Sequence, residues 1–267
     1  MPITNFVRAR STSAPRALGL LSCASLILTI RNAAAAIIVG AGSSVNFADN
    51  SIDLGCSDLT VAGSVGASAA NVASIANLDL VGGSFAAGAS RISLGGNFTN
   101  TGSFVAGSGR VAIVDACGNR TSQMSGATGF YDFVVATASG KQILFPVAAA
   151  QSVAHSLILQ GTAGHLLDVR STVAGQRGVL ALAEGAAQTI AYVNARDNNA
   201  SITHIAPGFP AQFNSVDGGN LVNWFLDISA GAVPAPAPAL GAGRWLLLAA
   251  MLFAAARTLF RRNRKFS

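Results

Sequence analysis

Apolar and polar residues alternate in short runs through the middle of the chain. Leu59-Thr-Val61, Leu78-Asp-Leu80, Arg91-Ile-Ser-Leu94 and Arg110-Val-Ala-Ile-Val114 put leucine or β-branched side chains at every second position. A period of two predicts strands with one buried face. Gly-Ser and Gly-Gly pairs between the runs supply corners. Further strands are expected in Phe130-Tyr-Asp-Phe-Val-Val135, Lys141-Gln-Ile-Leu-Phe145, Ser156-Leu-Ile-Leu159, Leu166-Leu-Asp-Val169, Gly178-Val-Leu-Ala-Leu182 and Thr189-Ile-Ala-Tyr-Val193. The Ala-rich stretch 67–76 comes nearest to a helical pattern, and Gly, Ser and Asn interrupt it.

The strands recur at a nearly fixed interval. Gly83-Ser-Phe-Ala-Ala-Gly-Ala-Ser-Arg-Ile-Ser-Leu94 returns as Gly102-Ser-Phe-Val-Ala-Gly-Ser-Gly-Arg-Val-Ala-Ile113, with half of the aligned positions identical. Val61-Ala-Gly-Ser-Val65 anticipates Val81-Gly-Gly-Ser-Phe85 at almost the same interval. A period of roughly 20 residues is the signature of a solenoid, in which each unit buries its apolar face only against its neighbours. The predicted fold is all-β, a right-handed parallel β-helix of roughly 8–10 rungs. An antiparallel β-sandwich has similar strand spacing and is the alternative.

The two ends read differently. Arg8, Arg10 and Arg16 precede an apolar stretch over residues 17–30, and small residues follow at 33–36. A basic segment, an apolar segment and an Ala-x-Ala site make a secretory signal peptide, with cleavage expected near Ala35 or Ala36; a retained N-terminal helix is the alternative. At the other end a Pro/Ala spacer leads to Leu240-Gly-Ala-Gly-Arg-Trp245, an apolar run over 245–256, and a basic cluster of Arg257, Arg261, Arg262, Arg264 and Lys265. A helix over 245–260 would be about 24 Å long. With Trp245 at one interface and the arginines at the other, it can still span a hydrocarbon core of roughly 30 Å. The expected organisation is a signal peptide (1–36), a β-helix ectodomain (37–230), a Pro/Ala linker (231–239) and a C-terminal transmembrane segment with a basic tail (240–267).

Charge is partitioned the same way. The chain carries +6, but ten of its 17 basic residues lie before residue 37 or after residue 239. Seven basic residues against all eleven acidic ones leave the middle at −4. A mildly acidic domain has no electrostatic footprint for nucleic acid. The terminal basic residues hold the membrane segments with their charged ends in the cytoplasm.

Of the three cysteines, Cys23 leaves with the signal, and Cys56 and Cys117 remain where a disulfide is permitted. Their separation in sequence corresponds to about three rungs. Stacked directly, they would sit roughly 14 Å apart, beyond a disulfide's Cα limit of about 7 Å. A Cys56–Cys117 bond therefore needs a different rung count, or loops that carry the two together.

Ile52-Asp-Leu-Gly-Cys-Ser-Asp-Leu-Thr-Val-Ala-Gly63, Leu94-Gly-Gly-Asn-Phe-Thr-Asn-Thr-Gly-Ser-Phe104, Val169-Arg-Ser-Thr-Val-Ala-Gly-Gln176 and Gly218-Gly-Asn-Leu-Val-Asn-Trp-Phe225 resemble bacterial exported repeat proteins. The resemblance implies a β-helical surface or secreted protein without a known active site. The tail, with Pro238-Ala239-Leu240 and Trp245, is similar to the C-terminal sorting domains called IPTL-CTERM and PEP-CTERM. That similarity implies delivery to the membrane and recognition by a sorting peptidase of the exosortase type.

Catalytic patterns are weak. His155, His165 and His204 have no ligand partner at metal spacing, and no Gly-x-Ser-x-Gly elbow or phosphate loop occurs. Asp49 with Asp53, or Asp168 with Arg170, could share a strand face as a polysaccharide-cleaving enzyme would need. Asp197, Asn198 and Asn199 with Asp217 could bind calcium, although Asx turns account for the same residues. The expected function is a structural or adhesive envelope protein, not an enzyme, with no cofactor and with polysaccharide or other surface molecules as partners. A β-helical glycan hydrolase or lyase, and a permanently anchored protein with an uncut tail, are the alternatives.

Overall fold

The computed structural model describes residues 36–225. Over that span the chain winds into a parallel β-solenoid of about eight turns, each turn laying strands on three faces. The first face stacks Ile37–Val39, the second halves of Ser51–Val61 and Asn71–Leu80, then Phe98–Asn100, Thr121–Ser125, Gln142–Phe145, Leu167–Ser171, Val193–Ala195 and Val216–Asp217. The second begins with Ser44–Asn46, Ser64–Gly66, Ser84–Ala86 and Ser103–Val105. The third carries the first halves of Ser51–Val61 and Asn71–Leu80, then Arg91–Leu94, Arg110–Ile113 and the later halves of Thr128–Ala136 and Gln151–Gln160. All named strand pairs are parallel, so the antiparallel sandwich falls. The 67–76 stretch is a corner followed by the strand Asn71–Leu80, and the single short helix among the described residues is the 3-10 turn Pro210–Phe213.

Register explains the alternation. Ile75, Leu94, Ile113, Val135, Leu159 and Ile190 are successive partners on the third face and are all buried. Each rung thus contributes an aliphatic side chain to a continuous column, and the intervening residues point outward. Phe85, Phe104, Phe98, Phe130, Phe133 and Phe145 form a second packed run, with successive ring centroids 4.6–6.4 Å apart. Such aromatic contacts add to the burial of apolar area.

Polar ladders hold the corners. Asp58 Oδ1 accepts from the backbone N–H and the side-chain amide of Asn77, at 3.1 and 2.8 Å. Asn77 Oδ1 accepts from the Asn97 N–H at 2.8 Å, and Asn97 Oδ1 from the Gln123 N–H at 2.9 Å. These bonds satisfy corner amides that no strand ladder reaches. At another corner the backbone passes so close that Gly102 is required, because a Cβ there would lie 2.1 Å from the Gly83 carbonyl oxygen.

The period lengthens along the chain. Ser51 pairs with Asn71, whereas Ser156 pairs with Ala187, so the later rung takes up about half as much chain again. The additional chain forms outward excursions, including the turn closed by the Thr162–His165 bridge. This is why the repeat fades in the sequence while the coil continues.

Candidate functional site

The segments expected as signal peptide and linker, with Pro238, Ala239, Leu240, Trp245 and the cluster Arg257, Arg261, Arg262, Arg264 and Lys265, lie outside the described residues. Among the described residues no helix is long and apolar enough to cross a membrane.

Cys56 and Cys117 are joined in a disulfide, with Cα atoms 5.3 Å apart. They are nonetheless three rungs apart. Ser57 partners Ile75, Ile75 partners Leu94, and Leu94 partners Ile113, just ahead of Cys117. The connection is made by the loop after Ile113, which folds back across the intervening rungs. Cys117 Sγ lies 3.8 Å from the Ile75 carbonyl oxygen, and a Cβ on Gly95 would sit 2.2 Å from that of Ala116. Gly95 and Gly96 therefore form the bed on which this loop rests. Left-handed backbone at Gly55, Cys56 and Cys117 turns both cysteines toward each other.

The same loop is pinned from the other side. Asp115 accepts from Thr137 Oγ1 at 2.8 Å and from the N–H groups of Ala138 and Ser139 at 2.7 and 3.0 Å. Desolvation alone would raise the Asp115 carboxyl, but the Thr137, Ala138 and Ser139 hydrogen bonds outweigh it and hold the group below its usual range. Beneath the loop Lys141 is fully buried, its ammonium donating to the carbonyl oxygens of Gly95 at 2.6 Å and Asn119 at 2.5 Å. Burial pushes this amine down, and the Asp115 charge only partly offsets that. A cavity of about 240 Å³ beside the loop is lined by Asp115, Asn119, Arg120 and Ser139.

The most chemically varied surface lies on the third face. Asn71, Arg91, Arg110, Asp132 and Ser156 follow one another in register on successive rungs. Asp132 Oδ1 is 2.7 Å from His155 Nδ1, and the His155 ring stacks on Tyr131 with centroids 4.5 Å apart. At the register shift between Phe130 and Asp132, Ala154 and His155 of the next rung face the single residue Tyr131, and the two rings meet there. Sequence reading passed over this group because successive members are separated by a whole rung of chain; the rung period was the available signal.

Other expected groupings resolve as backbone supports. Asp168 and Arg170 do share a face, paired at 2.8 Å, and Asp168 also accepts from Asn194. Asp49 and Asp53 serve separate turns, accepting from the N–H groups of Ala69 and Gly55. Asp217 closes an Asx turn on the Gly219 N–H, while buried Asp197 accepts from Asn220 and Gly175. The Asn220 and Gly175 bonds hold the Asp197 carboxyl below its usual range. On the second face Gly63, Ser64, Gly83, Ser84, Gly102 and Ser103 floor a shallow groove of about 400 Å³.

Compared with known proteins, the chain matches no family model, no curated protein and no solved structure.

Proposed function

We propose that this is an exported cell-envelope protein, a structural or adhesive surface component delivered by its C-terminal tail. In this reading the ectodomain is a right-handed coil, the handedness strongly favoured for parallel crossovers. The signal peptide directs export, the 245–256 run enters the membrane, and an exosortase-type peptidase recognises the region of Pro238, Ala239, Leu240 and Trp245. The observation that carries the reading is the Cys56–Cys117 bond across three rungs, since such bonds persist in oxidising compartments. A coil with about eight turns also offers long outward columns, suited to repetitive polymers such as polysaccharides.

Intact mass of the protein recovered from envelope and medium tests this. Loss of the leader near Ala36 and of the residues near and beyond Pro238 is the expected result. A mass that retains Phe266 and Ser267 would replace the sorting signal with a permanent single-span anchor. One that retains the leader and is found only in the cytoplasm would end the export reading.

A second reading, a β-helical polysaccharide hydrolase or lyase, is favoured by one feature, the hydrogen-bonded Asp132–His155 pair on an open face. Release of oligosaccharide from a glycan panel would establish it, and binding without release would dismiss it.

A further inference from the structure

We propose that Arg91 and Arg110, with the Tyr131–His155 stack beyond them, form a binding track for a carboxylate-bearing polysaccharide of the uronate type. The proposal rests on the surface-protein reading above and names its ligand.

The argument begins with how the cations are used. Seven basic side chains occur among the described residues of a net acidic ectodomain. Lys141 is buried on two carbonyl oxygens, and Arg170 and Arg196 stand 2.8 and 3.6 Å from Asp168 and Asp197. Arg120 donates to the Ser139 carbonyl oxygen and Arg177 to that of Asn220. Arg91 and Arg110 remain. Both are exposed, and among the described residues neither side chain has a hydrogen-bond or ion-pair partner.

These two are direct partners on adjacent rungs. Like charges placed opposite each other on neighbouring strands destabilise a sheet. The nearest acid on the column, Asp132, is Arg110's partner on the next rung, yet its carboxylate is bonded to His155. Folding thus gains nothing from the pair, whereas an anion lying across it relieves the repulsion. Guanidinium groups bind carboxylates in a planar, two-point fashion, so a carboxylated ligand fits their chemistry.

The spacing selects a polymer. Rungs rise about 4.8 Å, close to the length of one hexose in an extended glycan. A chain running along the column meets the Asn71 amide, then Arg91 and Arg110, then Tyr131 beside the column one rung further on, stacked on His155 of the rung after that. An aromatic surface can pack against the apolar face of a sugar ring, and the Asp132 carboxylate can accept from its hydroxyls.

The test uses the full-length chain in neutral detergent, with polygalacturonate and its methyl ester as probes, read by calorimetry. The wild-type chain is expected to bind the acid at least tenfold more tightly than the ester, and less tightly as salt rises. Arg91→Gln with Arg110→Gln should lose at least tenfold, with an unchanged circular dichroism spectrum. Arg120→Gln with Arg177→Gln removes the same charge elsewhere and should leave binding within twofold. Equal loss in both double variants, or equal affinity for acid and ester, would overturn the track. So would tighter binding to single-stranded DNA than to polygalacturonate. A wild-type chain that ignores polygalacturonate also overturns it, while leaving the export reading to be decided by intact mass.

Discussion

At the scale of single residues, the ionisable groups around the folded-back loop set how stability responds to pH. Asp115 and Asp197 have carboxyls held low in the folded state. Their contribution is therefore present above the unfolded value of about 3.9 and lost as pH falls through the lower folded values. Lys141 acts at the other end. Its folded amine is depressed, so between that value and about 10.4 the unfolded chain binds the extra proton and stability rises with pH. Thermal unfolding across pH should show an acid limb that is weakened in Asp115→Asn and an alkaline gain that is absent in Lys141→Met. At neutral pH, Asp115→Asn should cost about 1 kcal/mol, because the donors from Thr137, Ala138 and Ser139 lose a charged acceptor that is itself exposed to water.

At the scale of elements, close stacking of backbone on backbone is what the Gly positions serve. A Cβ at residue 102 or 95 would meet a carbonyl oxygen of a neighbouring segment at 2.1 or 2.2 Å. Gly102→Ala and Gly95→Ala should each cost about 2 kcal/mol in denaturant unfolding, through forced backbone shifts. The disulfide ties down the loop that lies over Gly95. Cys56→Ser with Cys117→Ser should cost about 2–4 kcal/mol. In the unfolded protein recovered after the proposed export, which leaves Cys23 behind with the leader, thiol titration should find no reactive cysteine before reduction and two after it. Two before reduction would show that the loop is not bonded. Core columns behave as ordinary packed interior: Leu94→Ala, fully buried between Ile75 and Ile113, should cost about 2–5 kcal/mol.

For the whole molecule, the coil converts a short sequence repeat into columns of outward side chains, so residues far apart in sequence become neighbours. Arg91, Arg110 and Asp132 are adjacent for that reason alone. The uronate track is the prediction that belongs to this scale, since it depends on several rungs holding register at once. Its affinity should fall with salt, as charge recognition at an exposed face does.

The parallel coil and its inward columns were legible in the sequence, because the repeat that carries Gly83–Leu94 onto Gly102–Ile113 and the alternation at period two fix both the stacking and the buried face. Asx turns at Asp217 could likewise be read locally, since the acceptor and the Gly219 N–H are near neighbours in the chain. Other features depended on the third dimension. Rung arithmetic held Cys56 and Cys117 about 14 Å apart, and only the backward fold of the loop over Gly95 and Gly96 closed that distance. The buried Lys141 ammonium and the Tyr131–His155–Asp132 group likewise arise from loop excursions and a register shift. Periodicity specifies which side chains stack from rung to rung. It does not specify where an irregular segment lies across them, because that placement is set by carbonyls, amides and close approaches contributed by rungs elsewhere in the chain.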